Sequence, residues 1–232
     1  MLPVRAIFFD IGDTLVFDDP PLPQRLAQAF RAMGLRVDDT RFPAAFRLGE
    51  TFAAERYVRG FPWDDPESLE GALRLILGEL QLPEPDLLEF QARFAAVPFT
   101  RFVHPEALSL LAELKVRGFV LGMISDWEVT LPDLLAELGI ATYLDALAVS
   151  SSVGVTKPDP RLFHEALRQA NVAPINSLHI GDWLELDIAG AHAAGMQSLL
   201  FDWAGRRPEA DCRRVTTFSQ LLSTLRALPD PV

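Results

Sequence analysis

The chain is 232 residues long, enough for a substantial buried core in one large domain or in one domain carrying an insert. Hydrophobic residues make up 49% and charged residues 23%, the balance of a folded globular protein, which excludes fibrous and disordered classes. Twenty-one basic against 32 acidic residues leave a formal net charge of -11, repulsive toward phosphate backbones and anionic lipid, so neither nucleic acid nor a membrane is an expected partner.

The apolar run Val4 to Phe9 stops at Asp10 and continues as Ile11, Gly12, Asp13 and Thr14, which is turn chemistry. It predicts a fully buried strand ending in a polar loop, and it is too short for a signal peptide or a membrane span. From about Pro20 to Val97 four helices are expected, roughly Leu22 to Met33, Thr40 to Val58, Pro66 to Leu80 and Asp86 to Ala95, with no convincing strand among them. Residues 16 to 98 hold nine basic and 14 acidic side chains, so this stretch is no basic clamp. Asp18-Asp19-Pro20-Pro21 and Val97 to Pro105 read as its two hinges.

Beyond the second hinge, strand and helix patterns alternate. Pro105 opens a helix that Gly118 closes, with Leu108, Leu111 and Leu114 on one face. Phe119 to Ile124 runs into Ser125-Asp126, and a helix follows over Leu131 to Leu138 with Pro132 near its start. Ala146 to Val149 ends at three serines, Ser150 to Ser152, before a helix over Arg161 to Ala170. Ser177 to Ile180 ends at Gly181-Asp182, with a helix over Glu185 to Ala194; Gln197 to Phe201 ends at Asp202, with a last helix over Phe218 to Leu225. Alternation of this kind predicts a doubly wound, Rossmann-like α/β domain whose parallel sheet is covered on both sides, interrupted by an all-helical insert. The expected division is 1–17 with 99–232 for the α/β core and 18–98 for the insert. The single cysteine, Cys212, excludes an internal disulfide and a cysteine metal cluster, which makes a cytoplasmic protein the default.

Ligands of open parallel sheets bind at the carboxyl ends of the strands, where Asp10, Ser125 and Asp182 are expected. One acidic residue after a strand is more often a turn former or helix cap than a catalyst. Several polar ends converging on one sheet edge carry more weight. Phe8-Phe9-Asp10-Ile11-Gly12-Asp13-Thr14-Leu15, Ile124-Ser125, Thr156-Lys157-Pro158-Asp159-Pro160 and Ile180-Gly181-Asp182 with Asp187 resemble, in order, the four motifs of the haloacid dehalogenase superfamily of hydrolases. The insert lies where members with a helical cap place theirs.

The resemblance implies a phosphatase-like hydrolase acting on a small phosphorylated substrate. Asp10 would attack phosphorus and form an aspartyl phosphate, Ser125 would donate to a phosphoryl oxygen, and Lys157 would neutralise charge on the phosphoryl group and on Asp10. Mg²⁺ would be held by Asp10, the Gly12 carbonyl, Asp182 and Asp187, which offer the hard oxygen ligands it prefers. Only Lys115 and Lys157 are lysines, against 19 arginines, so a compact ammonium has been placed in a chain that otherwise uses the planar fork.

The sequence departs from the family pattern two residues after Asp10, where phosphatases carry a second aspartate that protonates the leaving group. Gly12 stands there, and Asp13 is out of register by one position, either a turn residue or a substitute acid. Three readings follow: a phosphatase, a catalytically weak binder of a phosphorylated ligand, and, least favoured, a metal-independent 2-haloacid dehalogenase. Trp183 reads as a loop aromatic before a substrate floor, Asp126 as a cap of the next helix before a substrate reader, and Arg161 as a first-turn surface residue. His104, His164, His179 and His192 lack zinc-ligand spacing and read as structural.

Overall fold

The computed structural model describes residues 3–231. The chain forms two compact units, one running up to Phe17 and again from Phe102, the other Asp18–Arg101. In chain order the elements are β1 (Ala6–Phe9), β2 (Val16–Asp19), α1 (Leu22–Ala32), α2 (Phe42–Val58), α3 (Pro66–Leu80), α4 (Leu87–Ala95), β3 (Thr100–Val103), α5 (Ala107–Val116), β4 (Val120–Ser125), α6 (Leu131–Glu137), β5 (Ala146–Val149), α7 (Ser150–Val153), α8 (Pro160–Ala170), β6 (Ser177–Gly181), α9 (Ala189–Ala193), β7 (Gln197–Phe201), β8 (Arg214–Val215) and α10 (Phe218–Arg226).

Six strands form a parallel sheet in the order β5-β4-β1-β6-β7-β8. Side chains alternate between its faces, and both faces are covered. Ile7, Phe9, Leu121, Met123, Leu178 and Ile180 join one apolar core with residues of α5, α6 and α10. Ala6, Phe8, Ile124, Ala146 and Ala148 join the other with α8 and α9. Burial on both sides is why the strands read as continuous apolar runs rather than as alternating ones. The chain leaves β1 for β4 and β5 on one side, then returns to β6 on the other. β1 and β6 therefore flank the point where strand order reverses, the place at which such sheets open a crevice.

The Asp18–Arg101 unit packs its four helices around Leu26, Phe30, Phe42, Phe46, Ile76, Leu77 and Phe90. Its α3 is capped by Asp65, which accepts the Ser68 N–H at 2.8 Å. Among the described residues, no helix is long and apolar enough to cross a membrane.

Four local features differ from the sequence reading. β2, which runs into the first hinge at Asp18-Asp19, and β3, inside the second, pair as a separate two-stranded sheet; each is four residues of mixed polarity, too short for a periodic pattern. The sixth sheet strand, β8, is two residues long and left no pattern either. The serine run after β5 forms one helical turn, closed by Gly154 at φ 82°. The helix expected over Glu185 to Ala194 is split into a π-helical turn, Leu184–Ile188, and the short α9.

One close approach ties α9 to α8 and to the segment before it. A Cβ on Gly190 would lie 2.3 Å from the Phe163 ring and 3.2 Å from the Pro158 Cα. Gly190→Ala should therefore overpack this contact and cost about 1–3 kcal/mol. The exposed Gly78 in α3, where a Cβ meets nothing within 4 Å, provides the control: Gly78→Ala should leave stability unchanged or raise it slightly. Thermal unfolding of the two variants checks this, with equal melting temperatures speaking against the tight contact at Gly190.

Candidate active site

Asp10 follows the last residue of β1, and its own N–H donates to the Ile180 carbonyl of β6 at 2.8 Å. Asp182 follows β6 directly. Asp187 arrives from the π-helical turn, whose extra residue per turn brings it back over the strand end. Gly181 is required for that return, since a Cβ there would lie 2.2 Å from the Asp187 Cγ. Asp10, Asp182 and Asp187 are buried and offer carboxylate oxygens within 4.8 Å of one another.

Lys157, only 3% exposed, reaches into this group. Its Nζ donates to Asp10 Oδ1 at 2.5 Å and to Asp187 Oδ1 at 2.6 Å. Burial by itself would lower the lysine pKa; Asp10, Asp187 and Asp126 outweigh it and hold the ammonium above its ordinary value. Burial raises the Asp10 carboxyl to about 7 against the opposing pull of Lys157, with Asp187 adding to the rise. Burial likewise raises Asp182 well above the carboxylate range, Arg206 opposing. At Asp187 the balance is reversed: burial is overcome by Lys157 and His179, and the group is held below its ordinary value.

Ser125 is the buried last residue of β4, on the strand next to β1 and in register with Val149 of β5. Gly12 pairs with Val16 in an isolated bridge. A Cβ at Gly12 would meet nothing within 4 Å, and its φ lies outside the left-handed region. The reversal falls one residue later, where Asp13 adopts φ 54°. Although one position out of register, Asp13 reaches the group around Asp182 through Arg206. Its Oδ2 accepts Arg206 Nη2 at 3.3 Å, while Arg206 Nη1 donates to Asp182 Oδ2 at 2.8 Å.

Three further residues take parts that the sequence reading did not assign. Asp126 does not cap α6; both of its oxygens accept the Lys157 backbone N–H, at 3.0 and 3.3 Å, and so tie the end of β4 to the lysine loop. His179, read as structural, places Nε2 3.0 Å from Asp187 Oδ1. Its pKa is lowered by burial, the Asp187 contact opposing. Arg206 lies beyond β7 in a turn organised by the buried Asp202, whose oxygens accept the N–H groups of Arg206 at 2.6 Å and Arg207 at 3.2 Å and Arg214 Nη1 at 3.0 Å. The acidic residue closing the last apolar run was the legible trace of this turn; nothing in the local pattern distinguished Arg206 from its neighbours. Trp183 is half-buried, with Arg206 Cζ 5.2 Å from its ring centroid, and its backbone N–H donates to Asp187 Oδ2 at 3.0 Å. Arg161 is an exposed first-turn residue paired with Asp159.

The cluster is short of positive charge. Four carboxylates, of Asp10, Asp13, Asp182 and Asp187, face two cations, Lys157 and Arg206. Carboxylates outnumber cations, burial raises Asp10 and Asp182 toward their protonated forms, and a divalent cation among these hard oxygen donors would favour their ionised forms instead.

Residues 4–195 match the haloacid dehalogenase-like hydrolase family. Among curated relatives, the chain is 31% identical over 215 residues to the mouse haloacid dehalogenase-like hydrolase domain-containing protein 3, covering 89% of this chain and 84% of that one. It is also 31% identical over 201 residues to a glyceraldehyde 3-phosphate phosphatase of Methanopyrus kandleri, covering 83% and 82%. Among solved structures, a HAD phosphatase from Thermococcus onnurineus shares the fold with a TM-score of 0.61 at 22% identity, over 98% of this chain and all of that one. Motif order, sheet topology and these likenesses agree, and the chain belongs to the haloacid dehalogenase-like hydrolases.

Proposed function

We propose that this hydrolase is a Mg²⁺-dependent phosphatase that acts on a small phosphorylated metabolite through an aspartyl phosphate on Asp10. The observation that carries the reading is the Asp10 carboxylate held by the Lys157 ammonium at 2.5 Å, beside two further buried carboxylates at the strand-order reversal. Relatives named as phosphatases support it.

In this reading one Asp10 oxygen attacks phosphorus, the phosphate ester's oxygen leaves, and water then displaces the carboxylate from phosphorus, releasing inorganic phosphate and restoring Asp10. Lys157 opposes the protonation that burial favours at Asp10 and balances charge on the phosphoryl oxygens, and Ser125 donates to one of them. Asp10, Asp182 and the Gly12 carbonyl would hold Mg²⁺, with Asp187, whose oxygens already accept three N–H groups, acting through water. The bound ion would supply neutralisation of the phosphoryl charge among carboxylates. The helical unit inserted after the first strand takes the part of a cap that excludes water and selects substrate by closing.

Gly12 favours a second reading, a binder of phosphorylated ligands with weak turnover. Loss of general acid help costs about 10² to 10⁴ in rate, a small part of the acceleration of roughly up to 10²¹ known for phosphate monoesters. Turnover therefore survives the loss in the first reading. A panel of phosphate esters with and without Mg²⁺, run beside 2-haloacids, separates the readings: metal-dependent release of phosphate supports the first, binding without release the second, and metal-independent halide release would replace both.

Asp10→Asn should abolish hydrolysis of an activated aryl phosphate while leaving the fold intact, because the amide cannot form the acyl phosphate. Equal rates for the two proteins would remove Asp10 from the nucleophile's role.

Millimolar Mg²⁺ should raise the melting temperature, since an ion at about 100 times its Kd stabilises the folded state by about 2.7 kcal/mol. Asp182→Asn should lose most of that rise. No Mg²⁺ effect on wild-type stability or rate would count against the metal site.

Gly12→Asp should restore a carboxylate where the family's second aspartate stands, with open space and an unstrained backbone to receive it. Its gain in rate should grow with leaving-group pKa, reaching roughly 10² on poor leaving groups. The check is the slope of rate against leaving-group pKa for both proteins; an unchanged slope in a folded variant would show that this position does not limit the chemistry.

A further inference from the structure

We propose that His179 is a positioning residue, whose buried imidazole fixes the Asp187 carboxylate through an Nε2–H···Oδ1 hydrogen bond and thereby holds Lys157 against Asp10. The inference rests on the phosphatase reading of the site and adds to it a residue from outside the four motifs' charged positions.

His179 sits in the middle of β6, in register with Phe8 of β1 and Ser198 of β7, and is fully buried. The core beside it is built from Ala6, Phe8, Ile124, Ala148 and Phe163. An imidazole in such surroundings is unfavourable unless its polar atoms are engaged. One is: Nε2 lies 3.0 Å from Asp187 Oδ1, while Nδ1 is buried without a partner. A ring nitrogen at hydrogen-bond distance from a carboxylate oxygen must carry a proton, since two acceptors repel, so Nε2–H donates to Asp187. The Phe163 ring meets the imidazole edge-on, with centroids 5.2 Å apart and planes at 84°, and restricts its rotation.

Asp187 is thus held by three donors. Lys157 Nζ and His179 Nε2 share Oδ1 at 2.6 and 3.0 Å, and the Trp183 N–H takes Oδ2 at 3.0 Å. Two of the three come from the rigid strand and the backbone turn that follows it, so the carboxylate has one orientation and the ammonium a fixed anchor opposite Asp10. Without the imidazole, Oδ1 keeps only the end of a flexible four-carbon stem. The predicted loss falls on the chemical step, where misplacing a reacting group by 1 Å costs on the order of 10² in rate.

The test compares His179→Leu, which fills the space without a donor, with His179→Gln, whose amide N–H reaches the place of Nε2. On an activated aryl phosphate at saturating Mg²⁺, the Leu variant should lose about tenfold or more in kcat with KM changed by less than about threefold, and the Gln variant should regain most of the loss. Wild-type kcat in the Leu variant, or equal impairment in both, overturns the proposal. Nitrogen–proton long-range NMR correlations of wild-type His179, recorded without substrate, should show a proton on Nε2. A bare Nε2, with the proton on Nδ1, overturns the proposal even if the Leu variant fails to fold. A wild-type protein inert toward every phosphate ester refutes the phosphatase reading instead, and the NMR measurement, which needs no turnover, tells the two failures apart.

Discussion

Carboxylates crowded out of water at the ends of β1 and β6 are the constraint to which the rest of the site answers. Asp10, Asp182 and Asp187 lie with oxygens within 4.8 Å of one another, and ions so buried are unfavourable unless they are paired and hydrogen-bonded. Lys157 bridges Asp10 and Asp187, and Arg206 bridges Asp182 and Asp13. The division of labour follows the shapes of the two cations. A compact ammonium fits between two carboxylates inside the core, whereas the broad guanidinium spans two groups at the rim, against Trp183.

Backbone geometry makes that crowding attainable. Parallel strands point their carboxyl ends the same way, and the reversal of strand order at β1 and β6 opens space between the loops that follow them. Asp187 adds a third carboxylate from the same strand end as Asp182 because a π-helical turn carries it back over Gly181, where no side chain is tolerated. The lysine loop is held from two directions, by Asp126 on its backbone N–H and by the close packing of Gly190 against Pro158 and Phe163. Several elements far apart in the chain therefore fix one ammonium.

The Gly12-Asp13 pair is a shift of one residue in where the loop carries its second carboxylate. Asp13 takes the left-handed conformation and directs its charge to Arg206, joining the electrostatics of Asp182 while leaving the position of Gly12 without a side chain. The loop thus keeps a carboxylate, carried one residue later and turned toward Arg206.

Much of this was legible in the chain. Strands buried on both faces must be apolar throughout, so β1, β4, β5, β6 and β7 stand out as runs ended by polar residues, and long amphipathic helices announce themselves by period. The ordered motifs around Asp10, Ser125, Lys157 and Asp182 carried the family, because their chemistry depends on residue type at short spacing. Short elements escaped: β2, β3 and β8 have two to four residues, too few to show a pattern. The parts played by His179, Asp126 and Arg206 were decided by tertiary structure alone. Each acts through a partner eight to 193 residues away in the chain, and a hydrogen bond between distant residues leaves no local period, cap or turn chemistry in the sequence. A histidine inside an apolar run reads as a core residue until the fold brings Asp187 to its ring.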